Sequence, residues 1–271
     1  MSNKPKPDQE TLQRLLKVAK EAAGLAEKVI RRHYQDAGLE TEVKGDMTPV
    51  TMADKQSEQV IRAHLRDAFP DHGIWGEELG RSDHEDSDYL WLIDPIDGTK
   101  SFVRQYPFFS TQIALMYQGE LILGVSNAPM FGEMAWAALG QGAFINNEQV
   151  RVAKELEAHS SCVSTGNIQS MINGNWEGLG RLLSRFSKIR GYGDFYHYHL
   201  LAAGKIDLVI ESDVNILDIA ALTVIIREAG GIMTDLTGAP ITLDTCSILA
   251  GTSLTHALGL RVLNERFIEG N

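Results

Sequence analysis

The sequence has few cysteines, no long apolar run and no excess of basic residues, and each absence excludes a class of protein. Only Cys162 and Cys246 occur among 271 residues, with neither a disulfide framework nor paired metal-ligand spacing. They predict two buried, reduced thiols in a reducing cytoplasm. No segment reaches the roughly 20 apolar residues of a membrane span, and residues 1–10 lack the apolar core of a signal peptide. We therefore expect a cytoplasmic protein with no membrane partner.

Positive charge is also scarce, because 25 Lys and Arg stand against 36 Asp and Glu, for a formal net charge of -11. Phosphate backbones attract basic surfaces, so this balance argues against a general nucleic-acid binder. A small phosphorylated molecule can still bind such a protein if metal ions supply positive charge locally. With 44% hydrophobic residues, the chain can bury a core of one large domain or two modest ones.

The pattern of the chain changes near residue 152. Before that point, a helix over residues 8–36 and a second one ending at Phe69 precede closely spaced short strands, which predict an antiparallel meander. The expected strands are 108–117, 121–127, 133–138 and 143–145. After residue 152, strands and helices alternate, as is typical of α/β proteins. The sequence therefore predicts an α+β half over residues 1–152 and an α/β half over residues 153–271, with the site between them.

One stretch joins an apolar strand, residues 89–93, to a turn that carries two carboxylates, Asp94 and Asp97. Pro95 fixes one backbone angle and Gly98 permits an unusual one, so the two acids are held in a defined relation. Carboxylates at a strand end are hard ligands suited to Mg²⁺, and amides after Gly98, at the start of a short helix, are suited to phosphate. The alternative is a polar turn that merely reverses the chain.

Three further acidic positions have both a structural and a chemical interpretation. Asp54 follows Thr51 with the spacing of a capping box, so it either caps a helix or faces the acidic site and orients a water. The segment Gly76-Glu77-Glu78 is either a solvated pair of acids or a strand-end loop. Asp218 opens a helix, where an acid complements the helix dipole. Two apolar residues precede it, however, and a buried acid needs a partner such as a cation.

Together these segments resemble the inositol monophosphatase superfamily. Residues 46–54, 76–78, 91–99 and 218–231 have the family's motifs in order and spacing, over about residues 10 to 265. The resemblance implies a layered α-β-α-β-α sandwich, usually in a homodimer, with two or three Mg²⁺ ions. The implied metal ligands are Glu77, Asp94, Asp97, Asp218 and the carbonyl oxygen of Ile96. Asp54 and Thr99, with Glu77, are the implied catalytic residues that orient and activate a water, while Asp97 and the amides of Gly98 and Thr99 are the implied phosphate contacts.

Hydrolysis of a phosphate monoester fits these residues on chemical grounds as well. The dianion repels hydroxide, and metal ions neutralise it, lower the pKa of a bound water and stabilise the leaving alkoxide. Two-metal clamps need bridging carboxylates, which a turn bearing Asp94 and Asp97 supplies together with a third acid from elsewhere. No Cys/His or Ser/His arrangement indicates a covalent nucleophile.

The family's members act on inositol phosphates, fructose bisphosphate, adenosine bisphosphate or histidinol phosphate, so the motifs do not select the substrate. Residues 97–107 and 193–198 look like the histidinol-phosphatase branch. Asp194 and Glu211 add carboxylates where the alcohol part of the substrate is expected, and they suit the ammonium and imidazole of histidinol phosphate. Alternatively, Asp194 only caps the helix that it begins, and Glu211 would serve an inositol hydroxyl equally well.

The sequence thus predicts a Mg²⁺-dependent phosphatase acting on L-histidinol phosphate in histidine biosynthesis. The alternatives are an inositol-1-phosphatase, a broad phosphatase, or an inactive binding scaffold of the same fold. His197 and His199 are interpreted as packing or substrate-neighbouring residues, because a helix splays alternate side chains apart. Lys100 and Arg104 are interpreted as ordinary surface charges. Leu217 stands where many relatives have Trp, which leaves more room beside Asp218.

Overall fold

The computed structural model describes residues 5–35, 41–43, 49–82, 84, 87–154 and 158–265, with the backbone alone for residues 35, 41–43 and 49–51. The helices within these ranges are α1 (Gln9–Gln35), α2 (Met52–Ala68), α3 (Thr99–Val103), α4 (Gln169–Gly174), α5 (Trp176–Leu183), α6 (Asp194–Ala202), α7 (Ile216–Glu228) and α8 (Ser253–Asn264). The strands are β1 (Thr41–Val43), β2 (Pro49–Thr51), β3 (Gly73–Gly76), β4 (Gly80–Arg81), β5 (Tyr89–Asp97), β6 (Ser110–Tyr117), β7 (Glu120–Ala128), β8 (Glu133–Ala138), β9 (Gly142–Ile145), β10 (Glu148–Val150), β11 (Cys162–Thr165), β12 (Lys188–Arg190), β13 (Leu208–Ser212), β14 (Ile232–Thr234) and β15 (Ser247–Gly251).

The larger sheet has eight strands in the order β10-β9-β8-β7-β6-β5-β3-β4. Strands β5 to β10 form the antiparallel meander that the turn spacing predicts. Strand β3 runs parallel to β5, with Gly76 opposite Ile93, so the ends of both strands reach the same edge. The sequence did not predict β4 and β10, since segments of two or three residues are too short to give a periodic signal.

Alternating side chains of this sheet belong to two separate cores. Ile93 of β5 packs with α1 and α2 on one face, and its neighbour Leu92 packs with α7 on the other. This is the two-residue period of a strand that is covered on both faces. Helix α7 lies directly on β7, because a Cβ at Gly124 would come within 2.3 Å of the Ala221 carbonyl oxygen.

The smaller sheet has the order β12-β11-β13-β15-β14. Strand β11 is parallel to β12 and β13, whereas β15 is antiparallel to β13 and β14, so the sheet is mixed. Helices α6 and α7 share a core with one face, and α5 and α8 share a core with the other. The layers are therefore α1 and α2, the larger sheet, α6 and α7, the smaller sheet, then α5 and α8. This is the predicted α-β-α-β-α sandwich.

Three further sequence predictions have different outcomes. The expected burial of both thiols is wrong, because Cys246 is exposed in the turn before β15 and Cys162 is half-buried. Among the described residues, no helix is both long and apolar enough to cross a membrane. The strands of the larger sheet span residues 73–150 and those of the smaller sheet 162–251, while a division into two halves at residue 152 stays a prediction.

Candidate active site

Three carboxylates meet where β5 ends and α7 begins. Oxygen atoms of Asp94, Asp97 and Asp218 all lie within 4.8 Å of one another. The pairing of β5 with β6 shifts register between Asp94 and Asp97, at the position of Pro95, which has no amide hydrogen for a sheet ladder. This irregularity lets two acids three residues apart face one site, although a regular strand would direct them to opposite faces.

Local hydrogen bonds hold two of these acids, Asp94 and Asp218. The Ile96 amide donates to Asp94 Oδ1 at 2.9 Å across the turn. Asp218 forms a capping box with Asn215, whose backbone amide and side-chain amide donate to its carboxylate at 2.9 and 2.7 Å. Both interpretations of Asp218 therefore hold together, since it caps α7 and faces the other acids. Its orientation is fixed by the same helix turn that brings it to the site.

Burial and mutual repulsion of these acids together set the electrostatics of the site. Burial, followed by the charge of Glu77, holds the pKa of Asp94 well above its usual range. Burial, followed by the charge of Asp218, does the same to the pKa of Asp97. Burial also raises the pKa of Asp218 to about 7, against the amide of Asn215, which lowers it. The leading charges that act on Asp94 and Asp97 all come from carboxylates, so this oxygen-only group fits divalent cations such as Mg²⁺.

Asp54 and Thr99 lie beside this group. The Thr99 hydroxyl is 3.3 Å from Asp54 Oδ1 and 3.0 Å from the Ile96 carbonyl oxygen. Asp54 is 0% exposed in the first turn of α2 and adds to the charge that acts on Asp94. Asp54 was interpreted either as a helix cap or as a carboxylate that faces the acidic site, and these contacts agree with the second interpretation. The side chain of Thr51, the other residue of the predicted capping box, lies outside the described part of the chain.

Glu77 lies in the turn between β3 and β4, as a strand-end loop would place it. Its backbone amide donates to the Ile93 carbonyl oxygen at 3.1 Å. Glu77 is not part of the group of three carboxylates whose oxygens all lie within 4.8 Å of one another. Among the charged neighbours of Asp94, however, Glu77 contributes most to raising its pKa.

Gly98 connects the acidic turn to α3. It has φ 91° at the N-cap, and a Cβ there would lie 2.6 Å from the Phe108 carbonyl oxygen, so only glycine fits on both counts. Its carbonyl oxygen accepts from the amides of Ser101 and Phe102. The first amides of a helix have no acceptor within it, so the amides of Gly98 and Thr99 are suited to phosphate.

On the other side of the acidic group, a small pocket is lined by Asp97, Asn167, Asp194, Tyr198, Glu211, Val214, Asp218, Ile219 and Leu222. Three hydrogen-bond donors surround its Glu211 carboxylate. Glu211 Oε2 accepts from the Tyr198 hydroxyl at 2.8 Å and from His197 Nε2 at 3.2 Å, and Oε1 accepts from the Asn167 amide at 3.1 Å.

Asp194 has a strained backbone with φ 45°, directly after Gly193 with φ 68°. Gly193 is the N-cap of α6 and no side-chain capping bond forms there, which contradicts the view that Asp194 only caps the helix. Burial, followed by the charge of Glu211, raises the pKa of Asp194 to about 6. Strain and repulsion of this kind are typical of functional positions.

The remaining polar residues separate into two groups. His197 and His199 are both buried and point to different partners, since His199 contacts Glu133 at 2.7 Å and Ser126 at 2.8 Å. Within the described residues neither belongs to a possible metal group. Lys100 and Arg104 are exposed, and Lys100 lowers the pKa of Asp194 slightly through its charge.

Sequence reasoning missed Tyr198 and Asn167 as donors to Glu211. A tyrosine on an apolar helix usually signals packing, and a backbone amide gives no signal in a sequence.

The model of the inositol monophosphatase family matches residues 11–268. The chain belongs to the inositol monophosphatase family. It is 37% identical over 229 residues to a histidinol-phosphatase of Mycobacterium tuberculosis, covering 82% of this chain and 88% of the relative. It is 32% identical to an inositol-1-monophosphatase of Mesorhizobium japonicum, covering 93% and 96%. The solved structure of the extragenic suppressor protein suhB from Bartonella henselae superposes with a TM-score of 0.86 at 30% identity, covering 93% and 99%.

The family assignment and the fold predicted from the sequence are thereby confirmed. The protein is a metal-dependent phosphomonoesterase of the inositol monophosphatase family. The family uses Mg²⁺, and the Asp94, Asp97 and Asp218 group is consistent with that metal. Its relatives include both histidinol-phosphatases and inositol-1-monophosphatases at similar identity.

Proposed function

We propose that the protein hydrolyses L-histidinol phosphate to L-histidinol and phosphate, as a step of histidine biosynthesis. Two or three Mg²⁺ ions, when bound, would neutralise the phosphate, lower the pKa of the attacking water and stabilise the leaving alkoxide. The proposed ligands are Glu77, Asp94, Asp97, Asp218 and the carbonyl oxygen of Ile96.

Asp54 and Thr99 are proposed to orient the attacking water and take up its proton. The Thr99 hydroxyl can donate to Asp54 Oδ1 at 3.3 Å, and its lone pairs are then free to accept from the water. Loss of the water's proton to Thr99, with transfer of the hydroxyl proton to Asp54, needs no other base. Asp54 is fully buried, so its carboxylate stays close to the hydroxyl and away from bulk water.

The amides of Gly98 and Thr99 would bind oxygens of the phosphate at the start of α3. Asp97 lies between this position and the pocket that contains Asp194 and Glu211. A phosphate held at Gly98 therefore directs the alcohol part of its ester toward these two carboxylates.

The pair of Asp194 and Glu211 is the observation that carries the choice of substrate. In the described part of the chain, no lysine or arginine forms an ion pair with either carboxylate. His197 Nε2 lies 3.2 Å from Glu211 Oε2, and the other ring nitrogen, Nδ1, lies 3.4 Å from the Ser164 hydroxyl. An ammonium group would supply the missing positive charge.

An aromatic surface next to Asp194 supports the same choice. The rings of Phe108, Phe131 and Tyr196 lie 4.9–5.7 Å apart, and Tyr192 contacts Tyr196 at 5.6 Å. All four are partly exposed. Aromatic faces bind imidazole rings by stacking and cations through the ring quadrupole, whereas a polyol offers neither group.

The test compares phosphate release from histidinol phosphate and inositol-1-phosphate by the purified protein with Mg²⁺. We expect kcat/KM to favour histidinol phosphate by about 10–100-fold, the worth of one charge-assisted hydrogen bond. A preference for inositol-1-phosphate would retain the metal chemistry and overturn the proposed substrate. Equal rates would indicate a broad phosphatase, and no release from a panel of phosphate esters would favour an inactive scaffold.

We also propose a homodimer and a cytoplasmic location. The homodimer is proposed from the family resemblance, and the cytoplasmic location is proposed from the scarcity of cysteine. Sedimentation analysis and cell fractionation test them separately from the activity.

A further inference from the structure

Glu58 is a buried carboxylate that the chemistry above does not use. It lies one helical turn after Asp54 on α2 and is 0% exposed. Its Oε1 accepts from Arg62 Nε at 2.6 Å, and Arg62 is itself 5% exposed. A buried ion pair needs further hydrogen bonds to offset the loss of hydration, and these come from one specific turn of the backbone.

That turn is the one that carries Glu77. Glu58 Oε2 accepts from the Glu78 amide at 2.6 Å, and Oε1 accepts from the Leu79 amide at 3.2 Å. The Arg62 guanidinium donates to the Gly80 carbonyl oxygen. The ion pair therefore holds the three consecutive residues that follow Glu77.

The approach of the backbone to Glu58 is unusually close. A Cβ at Gly76 would lie 2.1 Å from Glu58 Oε1, so the glycine before Glu77 is required by the carboxylate under it. Gly80, at the other end of the turn, has φ 67°. Residues 76 and 80 thus allow the turn to close around the Glu58 carboxylate, and Glu77 projects from it.

We propose that the Glu58–Arg62 pair is a positioning device for Glu77, which fixes the turn so that the Glu77 carboxylate faces Asp94. This inference rests on the proposed role of Glu77 as a metal ligand. The pair contributes to metal affinity through backbone geometry and does not itself contact metal or substrate. Partners that orient metal ligands typically change metal affinity by 10–100-fold when they are lost.

A second carboxylate of the molecule provides a matched control. Glu228, at the end of α7, accepts from the amides of Gly140 at 3.0 Å and Gly142 at 2.9 Å. It also holds a hairpin turn, the one between β8 and β9, but that turn carries none of the proposed site residues. Glu228→Gln therefore makes the same chemical change to a turn away from the site.

The experiment measures Mg²⁺ binding by calorimetry without substrate for Glu58→Gln, Glu228→Gln, Glu77→Gln and the double variant of Glu58 and Glu77. We expect Glu58→Gln to weaken Mg²⁺ binding by about 10–100-fold and Glu228→Gln to leave it within about twofold. The double variant should bind as weakly as Glu77→Gln alone, since both changes remove the same ligand. Hydrogen exchange at the Glu78 and Leu79 amides should accelerate in Glu58→Gln, independently of metal.

Arg62→Lys provides a milder variant in case Glu58→Gln fails to fold. It keeps a cation beside Glu58 but loses the planar guanidinium that also reaches Gly80, so a smaller loss of Mg²⁺ affinity is expected. Normal Mg²⁺ binding in Arg62→Lys together with unchanged exchange at residues 78–80 would overturn the inference. If Glu77→Gln itself binds Mg²⁺ normally, the proposed metal ligand is wrong. If Glu77→Gln binds weakly and Glu58→Gln binds normally, only the positioning role is wrong.

Discussion

Glu58 and Asp94 are two buried carboxylates, 0% and 2% exposed, with opposite surroundings. Glu58 is matched by Arg62 and two backbone amides. Asp94 accepts one amide, and Glu77 leads the acids that surround it. The charge of Glu58 is balanced within the protein, whereas the charges of Asp94 and its neighbours are balanced only with an added cation. Burial alone therefore does not distinguish a structural acid from a functional one, but the charges around it do.

The largest effect expected from this comparison is on activity. Asp94→Asn should lower kcat/KM by about a thousandfold or more, because metal-ion catalysis is worth several kcal/mol. Phosphate release under saturating Mg²⁺ measures this loss, and circular dichroism checks that the fold is retained. Normal turnover in this variant would contradict the assignment of Asp94 as a metal ligand.

Replacing the carboxylate by the corresponding amide should have opposite effects on the stability of the metal-free protein at positions 94 and 58. Asp94→Asn removes a charge that its neighbours repel, so the melting temperature without metal should rise. Glu58→Gln leaves Arg62 poorly paired, so the protein should lose about 3–5 kcal/mol. Thermal melts in EDTA compare the two variants, and a decrease in both would show that Asp94 is not under electrostatic strain.

The pH dependence of metal-free stability sharpens the comparison further. The folded pKa of Asp218 is about 7, and those of Asp94 and Asp97 are also raised, against a usual 3.8. The folded state therefore binds more protons, and its stability falls as pH rises from about 4 to about 7. We expect a loss of about 3 kcal/mol, or roughly 6–12 °C in melting temperature.

Melts in EDTA from pH 4 to pH 8 measure this loss, with Asp218→Asn as the variant in which the slope becomes smaller. Saturating Mg²⁺ should remove most of the slope, since bound cations replace the protons. A pH-independent melting temperature in the metal-free protein would contradict the view that the acids repel one another.

A smaller effect is expected at the pocket that contains Asp194 and Glu211. Asp194→Asn should lower kcat/KM for histidinol phosphate by about 10–30-fold, the loss of one charge-assisted hydrogen bond, and leave inositol-1-phosphate within about threefold. The pH profile adds a second readout. Because the pKa of Asp194 is about 6, the ratio of the two kcat/KM values should fall as pH drops below 6.

Titration of the phosphate group cancels in that ratio, because both substrates carry it. In Asp194→Asn the ratio should lose the part of its pH dependence that Asp194 causes, and only the titration of the imidazole of histidinol phosphate should remain. Equal losses on both substrates would show that Asp194 acts on the site as a whole and does not select a cation.

The smallest predicted effect concerns the donors that orient Glu211. Tyr198→Phe removes one of its three hydrogen bonds and should raise KM for histidinol phosphate by about 3–10-fold, as expected for about 1 kcal/mol, with kcat nearly unchanged. Steady-state kinetics separate the two constants. A fall in kcat with unchanged KM would instead place Tyr198 at the chemical step.

The layers of the fold and the acidic group were predictable from the sequence because their signals are local. Apolar periodicity located α1, α2 and the meander, and short motifs located Asp94, Asp97 and Asp218. The direction of β15 was not predictable, because periodicity carries no information on whether neighbouring strands are parallel. Glu58 and Arg62 were missed because acid and base four residues apart on a helix usually form a solvated surface pair.

Helix α7 has a consequence for how this protein can acquire new substrates. Its residues from Ile216 to Ile226 are buried except Asp218, which is partly exposed, because the helix lies between two sheets. Nearly every substitution there disturbs packing, so Asp218, the proposed metal ligand on its first turn, is tied to a segment that resists change. By contrast, Tyr192, Asp194 and Tyr196 remain partly exposed at the start of α6. Selectivity can therefore diverge at α6 while the hydrolytic chemistry is inherited unaltered.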